Sequence, residues 1–409
     1  MSWQTRPLSE IADFVLGKML DQAKNRGEPL PYLANVNVRW GDFDLSDLRE
    51  MRFEPHEIER YGLKPGDIVM CEGGEPGRCA LWKSQREGMM IQKALHRIRP
   101  RTGLDSTFLY YAFLNIGKQN GFAPFFTGAT IKHLPREQLA RVPIRFPEWS
   151  EQKAIAVILS AYDDLIATNQ RRIALLEDAA RRLYREWFVH LRFPGYESVP
   201  VKDGVPEGWR KMPIADQTAF LNRGIAPKYD DTAKGTVINQ KCIRDGRISM
   251  QPARRQSKDV KPDRLVRQGD VLINSTGAGT LGRVAQVRTP IENCTVDTHV
   301  TIVRPMDVDS STYFGQALLN LEPIFSEMGK GATNQLELSR SDIGAVEIWQ
   351  LPQHLHIEFH RLVGPMLEQA EQLGVANLSL QSARDLLLPK LMSGQLDVSG
   401  IRLPDEVAA

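Results

Sequence analysis

The sequence predicts a mixed α/β chain made of two tandem copies of one unit, each followed by a long helix. Three observations carry this. The chain repeats itself once, at a period of about 205 residues. Each copy holds short Val- and Ile-rich runs between Gly, Pro and Asn turns, the pattern of strands. Each copy then passes into a long segment whose apolar residues recur three and four apart, the pattern of a helical seam.

The repeat is collinear over five blocks. "WQTRPLSEIAD" from Trp3 resembles "WRKMPIADQTA" from Trp209, and "KPGDIVM" ending at Met70 matches "RQGDVLI" ending at Ile273. "IQKALHRIRP" ending at Pro100 lines up with "VDTHVTIVRP" ending at Pro305, and "FLYYAFLN" ending at Asn115 with "TYFGQALLN" ending at Asn320. "TGATIKHLPREQLARVPI" ending at Ile144 matches "KGATNQLELSRSDIGAVEI" ending at Ile348. The offset stays between 203 and 206, which chance does not give five times in order.

Within each copy the strands come first: "DIVMC" and "LHRIRP", then "DVLIN" and "HVTIVRP". A short helical piece follows, "TFLYYAFLNIG" in the first copy, then a Gly-Ala-Thr turn and a last strand, "VPIRFP" or "VEIWQLP". The sheet is expected to be local and irregular.

From Glu151 to about His190 there is neither Pro nor Gly. Leu159, Tyr162, Ile166, Ile173, Leu176, Ala180, Leu183 and Trp187 form the apolar stripe, interrupted by Asn169. About 40 residues in a helix make a rod of roughly 60 Å. The second copy supplies Phe359, Val363, Met366, Ala370, Leu373, Leu380, Leu387 and Leu391, with Asn377 as the polar member. Gly364 and Pro365 are expected to kink this helix or delay its start. A buried Asn in a seam lowers stability and fixes register when it meets a polar partner. The two rods are therefore expected to pair antiparallel as a coiled coil, and replacing Asn169 by Leu to raise thermal stability. Between the copies, Arg192–Lys211 is rich in Pro and Gly and reads as a linker.

Composition narrows the function classes. The 409 residues, 42% hydrophobic and 25% charged, suit a soluble chain of two or three domains. No stretch approaches the roughly 18 apolar residues of a membrane span, and the N-terminus lacks a secretory pattern. Cys71, Cys79, Cys242 and Cys294 show no C-x-x-C spacing, so buried or free thiols are expected rather than disulfides or zinc. A net charge of +2 neither demands nor excludes nucleic acid.

"GAGTLG", Gly277–Gly282, fits a dinucleotide fingerprint letter for letter. That fingerprint needs a helix after the glycines, whereas "RVAQVRT" alternates like a strand and the first copy reads "EGGEPGRCALW". A glycine-rich connection between two strands is expected, open to a second backbone such as DNA phosphate. Both copies end it with Gly-Arg, at Gly77-Arg78 and Gly282-Arg283. The chain has no G-x-x-x-x-G-K-[ST] loop, no amino-methyltransferase segment and no G-x-S-x-G elbow. His356 and His360 stand one helical turn apart, a spacing metals use, but without an evident third ligand; a solvated helix face is expected there. No catalytic constellation and no metal site emerge.

The layout resembles the DNA-specificity subunit of type I restriction–modification systems, over nearly the whole chain. The resemblance rests on "GDIVM…GR" and "GDVLI…GR", the Gly-Ala-Thr turns at Gly128 and Gly331, and "P-E-x-x-E-Q-x-x-I" at Pro147–Ile155. "VPEGW" at Val205 and "LLLPKLMSGQL" at Leu386–Leu396 add to it. The chain departs from the pattern at "PQHLHIEF", which stands where the first copy has "PEWSEQKAI".

The resemblance implies two target-recognition domains, 1–148 and 209–352, each reading one half of a split, asymmetric DNA site. It implies a central spacer helix at 149–191, a linker at 192–208, a second spacer helix at 353–397 and a tail at 398–409. The helices set the gap between half-sites. It implies a cytoplasmic subunit that is not itself an enzyme and holds no cofactor. Its partners are double-stranded DNA, two methyltransferase subunits that modify adenine N6, and two ATP-dependent motor-nuclease subunits. S-adenosylmethionine, ATP and Mg belong to those partners. The alternative is a non-catalytic scaffold whose duplicated domains bind protein; salt-dependent affinity for duplex DNA separates the two.

Positions that differ between the copies inside matched blocks are where different reading arises, and shared polar positions suit phosphate. The candidates in the first copy are Arg78, Gln92, Lys93, Thr130, Lys132 and His133. In the second they are Thr276, Arg283, Thr298, His299, Lys330, Thr333, Asn334 and Gln335.

Overall fold

In the turn that leads into the first central strand, the Asp67 carboxylate accepts the Lys64 backbone N–H at 2.7 Å. Arg99 grips the same carboxylate through Nε at 2.7 Å and Nη2 at 2.8 Å. The second copy repeats this with Asp270, which accepts the Arg267 N–H at 2.8 Å and the Arg304 Nε and Nη2 at 2.7 and 2.8 Å. Both carboxylates are fully buried, and a buried charge is tolerated only when paired and hydrogen-bonded. The repeated Gly-Asp and Arg-Pro blocks are thus two halves of one clasp.

The computed structural model describes residues 3–21, 25–331 and 336–401. The chain divides into two compact units, the first joining Met1–Ala167 to Leu378–Ala409 and the second being Thr168–Asn377.

The first unit holds β1 (Gln4–Pro7), α1 (Leu8–Ile11), β2 (Ala12–Leu16), β3 (Glu28–Leu33), β4 (Arg49–Phe53), α2 (Pro55–Tyr61) and β5 (Ile68–Cys71). Then come β6 (Cys79–Leu81), β7 (Met90–Ile91), β8 (Leu95–Pro100), α3 (Ser106–Lys118), α4 (Arg136–Leu139), β9 (Pro143–Phe146) and the start of the long helix α5 (Trp149–Tyr184). The main sheet is antiparallel in the order β2-β8-β5-β6. A smaller sheet has the order β4-β3-β7, with β3 and β7 parallel. All of β5 is buried because both faces of the main sheet are covered. Ile68, Met70 and Ile98 face a core with Phe108 and Phe113 of α3; Val69, Cys71 and Ala80 face Leu33, Trp82 and Ile91.

The second unit repeats the plan. It opens with the β10–β11 hairpin (Val201–Lys202, Val205–Pro206), β12 (Arg210–Pro213), β13 (Thr218–Arg223), β14 (Gly235–Ile238), β15 (Ile243–Arg244), β16 (Arg247–Ile248) and β17 (Arg254–Gln256). Next are β18 (Val271–Asn274), β19 (Val284–Gln286), β20 (Cys294–Val296), β21 (Val300–Pro305), α6 (Ser311–Asn320), α7 (Glu322–Glu327), α8 (Arg340–Ala345) and β22 (Glu347–Gln350). The helix α9 (Gln353–Met392) follows. The sheets run β13-β21-β18-β19 and β17-β14-β20, the same order as before. The pair β12–β22 matches β1–β9. The segment expected to be a linker is folded, with Phe193 buried against Trp209 at 5.0 Å between ring centroids.

In each unit the two long helices meet antiparallel. In the second, Asn169 Nδ2 donates to Asn377 Oδ1 at 2.9 Å, and further along α5, beyond its end, Trp187 and Phe188 stack on Phe359. In the first, Arg384 pairs with Asp163, and Ile155 and Leu159 share a core with Leu388 and Leu391. The expected seam positions Ile166, Ile173, Ala180, Val363 and Ala370 are buried. Gly364 and Pro365 do not delay α9, which starts at Gln353. Leu355, Phe359 and Val363 lie buried ahead of the proline, and their packing outweighs its local penalty.

One member of the histidine pair is a second correction, while His360 is exposed as expected. His356 lies in the core against Tyr313 at 5.2 Å, rather than on a solvated face, and His360 Nδ1 bonds Thr312 Oγ1 at 2.8 Å. The four cysteines are buried and free, as expected. Burial pushes the Cys294 thiol up to about 12. Among the described residues, no helix is long and apolar enough to cross a membrane.

Candidate nucleic-acid interface

At one end of each main sheet, loops from three parts of the sequence converge. In the first unit, Glu72 at the end of β5 donates its N–H to Ala94 O at 2.8 Å, which ties it to the turn before β8. Its carbonyl accepts the Leu134 N–H at 2.8 Å, which ties it to the Gly-Ala-Thr loop. That loop closes on itself where Thr127 and His133 exchange backbone bonds at 2.9 Å. Beneath it, His96 is fully buried with Nε2 2.8 Å from Leu134 O, and burial holds its pKa below the ordinary range.

The second unit builds the same junction from different side chains. Ser275 N–H donates to His299 O at 2.8 Å and Leu338 N–H to Ser275 O at 2.9 Å. Lys330 and Glu337 close the third loop with two bonds of 3.0 Å. Thr276 Oγ1 lies 2.7 Å from His299 Nδ1, and Arg223 pairs with Glu337 at 2.7 Å. Ser275 and Thr301 hydroxyls bond at 2.5 Å where the first unit has its buried histidine. Asp297, under His299, has its carboxyl raised by burial, although it accepts the His299 N–H at 2.9 Å.

The "GAGTLG" stretch is a turn between the antiparallel strands β18 and β19, as its alternation predicts. The backbone that approaches its last glycine is the chain's own. A Cβ on Gly282 would stand 2.3 Å from Ser326 N and 2.6 Å from Phe325 C; one on Gly77 would stand 2.8 Å from the Phe122 ring. Both glycines have positive φ, +79° and +90°. Internal packing of the loop on the following helical segment, rather than phosphate, requires them. The expectation of an open approach is corrected at Gly77 and Gly282, whereas Gly279 of the same turn has open space around it.

The proposed contacts fall into three groups. Lys93, Thr130, Lys132, Thr298, His299 and Lys330 are exposed on the converging loops, with His133 and Thr276 half-buried beside them. Lys330 pairs with Asp342 at 2.6 Å, and His133 Nδ1 is 3.5 Å from Glu72. Arg78, Gln92 and Arg283 instead hold their own loops. Arg78 binds Glu75 at 2.7 Å and Asn35 O at 2.9 Å; Gln92 Oε1 accepts the Ala94 N–H at 3.1 Å; Arg283 donates to Gly279 O at 2.9 Å. Thr333, Asn334 and Gln335 lie outside the described residues.

Sequence reasoning missed several neighbours. Trp40 is exposed beside this end of the first sheet and donates from Nε1 to Glu75 at 2.7 Å. Asn35 and Gln240 take the same place in the two units, each within 2.6 Å of where a Cβ would stand on Gly74 or Gly277. An exposed Trp between polar residues in "VRWGD" was the available signal for the first.

Residues 1–178 match the family model described as the type I restriction modification DNA specificity domain. The chain is 27% identical over 418 residues to the type I restriction enzyme MjaIX specificity subunit of Methanocaldococcus jannaschii, spanning 97% of this chain and 94% of that one. It is 24% identical over 285 residues to the putative type I restriction enzyme MjaX specificity subunit of the same organism, spanning 66% of each. The crystal structure of a type I restriction–modification S subunit from M. genitalium superposes with a TM-score of 0.58 at 18% identity, over 95% of this chain and 96% of that one. At that identity the likeness is one of fold.

Proposed function

We infer that this chain, which belongs to the DNA-specificity subunits of type I restriction–modification systems, reads a split and asymmetric DNA site, one half with each unit. The observation that carries this is the pairing of one framework with two loop chemistries. Sheet order is the same in both units, and the main-sheet registers match except for a bulge between Thr218 and Phe220 of β13. The converging loops present Lys93, Thr130, Lys132 and His133 in one and Thr276, Thr298, His299 and Lys330 in the other. Base edges are told apart by such donors and acceptors, and phosphates by the cations beside them. Two different readers on one chain give an asymmetric site.

The long helices set the spacing between the half-sites. On this reading the chain's role is to direct adenine N6 methylation by two methyltransferase subunits and cleavage by two ATP-dependent motor-nuclease subunits. S-adenosylmethionine, ATP and Mg are used by those partners. The domain limits expected from the sequence, 1–148 and 209–352, mark the segments to exchange in experiments. The test is to co-express the chain with its methyltransferase in a methylation-free host and map N6-methyladenine genome-wide. A bipartite motif with a fixed gap is expected. A stable complex that neither methylates nor binds duplex DNA overturns the reading in favour of a scaffold.

A further inference from the structure

The two units share a framework but not a charge. Residues 226–261, around the small sheet of the second unit, hold nine Lys and Arg against four Asp and Glu. Residues 21–56, the matching segment of the first, hold five against seven. The strand registers show where the difference lies. Thr236 of β14 lies beside Cys294 and opposite Arg255. In the first unit Pro31 of β3 takes the place of Thr236, and it lies opposite Glu50. One edge position thus carries opposite charges in the two units, and both side chains are exposed.

The edge of β17 is organised rather than merely basic. The Arg254 guanidinium lies 3.5 Å from the centroid of the Tyr229 ring, which is 44% exposed. Tyr229 is bridged to Gln256, so ring and guanidinium share one face of the edge. Arg255 Nη1 donates to Lys234 O at 3.2 Å and Thr236 Oγ1 at 3.1 Å, and Lys258 Nζ to Ala226 O at 3.1 Å. These neutral acceptors orient the cations without neutralising them. Among the described residues, none of the three forms an ion pair with a carboxylate. The neighbouring Asp230 is turned to Thr232, with bonds of 2.7 and 3.0 Å. Guanidinium forks held in place with donors to spare suit phosphate oxygens.

We propose that the β17 edge of the second unit, carried by Arg254, Arg255 and Lys258, anchors the DNA backbone independently of sequence, and that the first unit, which keeps Arg49 at the place of Arg254 but has Glu50 at that of Arg255, makes a weaker anchor. The proposal rests on the DNA-reading function above and adds a division of labour to it. The second unit supplies most of the salt-sensitive affinity, while the first discriminates with little of it.

The test measures affinity of the full chain for a 30-base-pair duplex of arbitrary sequence across salt concentration. Each phosphate contact contributes about 0.9 to the slope of log affinity against log salt. The triple variant Arg254→Gln, Arg255→Gln, Lys258→Gln is expected to lower the slope by roughly 2 to 3, with melting unchanged. Glu50→Arg is expected to raise affinity. An unchanged slope in the triple variant, or loss of subunit assembly in place of loss of DNA binding, overturns the anchor. So does failure of the wild-type chain to bind the duplex at low salt; methylation mapping then decides the function separately.

Discussion

Asn169 on α5 donates its side-chain N–H to the side-chain oxygen of Asn377 on α9 at 2.9 Å, and both residues are buried. The partners lie 208 residues apart in sequence. The bond gives the helix pair of the second unit a unique register, because sliding either helix by a turn separates the two amides. It also alters what substitution does. Asn169→Leu removes one side of a buried hydrogen bond, which costs about 1–3 kcal/mol. The single variant is therefore expected to melt below wild type, contrary to the stabilisation expected from sequence alone. Asn169→Leu with Asn377→Leu is expected to melt above it. Thermal melting of both variants decides this; a single variant more stable than the double one sinks it.

The two Asp–Arg clasps differ in burial. Asp270 and Arg304 have side chains 0% and 11% exposed, whereas Arg99, the partner of Asp67, is 34% exposed. Breaking a fully buried pair costs about 3–5 kcal/mol, and solvent screens the other. Asp270→Ala is expected to destabilise more than Asp67→Ala in urea unfolding. Equal losses would show that the difference in burial has no energetic weight.

The glycine turn offers an internal control. Gly282 and Gly279 both have positive φ, but a Cβ on Gly282 meets backbone at 2.3 Å while Gly279 has open space around it. Gly279→Ala bears only the backbone strain, on the order of 1–2 kcal/mol. Gly282→Ala bears the strain and the clash, so it is expected to lower melting further and to displace α7. Comparable melting of the two would place the constraint elsewhere.

Lys132 stands exposed on the loop that carries Gly128. Lys132→Ala is expected to weaken or relax one half of the methylated motif and leave the other intact. Sequencing the methylated sites reads this directly. Loss at both halves would mean a folding defect rather than lost reading.

Two buried histidines predict the acid side of the stability curve. Burial lowers the pKa of His96 and of His356. In the unfolded chain a histidine takes up its proton near pH 6.5. Below that pH the unfolded state binds protons that the folded state refuses, so stability falls with falling pH. The raised carboxyl of Asp297 works in the opposite sense. Melting measured from pH 7.5 to 5.5 is expected to fall in the wild type, and to fall less in His96→Gln. Parallel curves would remove His96 from the account.

The framework was legible because it is built on periodicity and repetition. Ile166, Asn169 and Ile173 carry the helical stripe, and Asp67 and Asp270 sit in blocks that recur. The interface was legible only in part. Composition marked the Gly-Ala-Thr loops as turns but could not show that Arg78 closes onto Asn35, 43 residues away. The burial of His356 was hidden for a similar reason: a helix face is solvated or covered according to what packs on it, here Tyr313. The charge contrast between Arg255 and Glu50 needed strand register, since the two positions are not aligned by any shared motif.

The converging loops hang on main-chain bonds, Leu134 N–H to Glu72 O in one unit and Leu338 N–H to Ser275 O in the other. A main-chain bond is indifferent to the side chain of the residue that makes it. Substitutions at the loop tips therefore leave the suspension intact, and the junction tolerates histidine and glutamate in one unit where the other has serine and threonine. A lineage can thus drift toward a new recognised sequence one residue at a time without passing through unfolded ancestors.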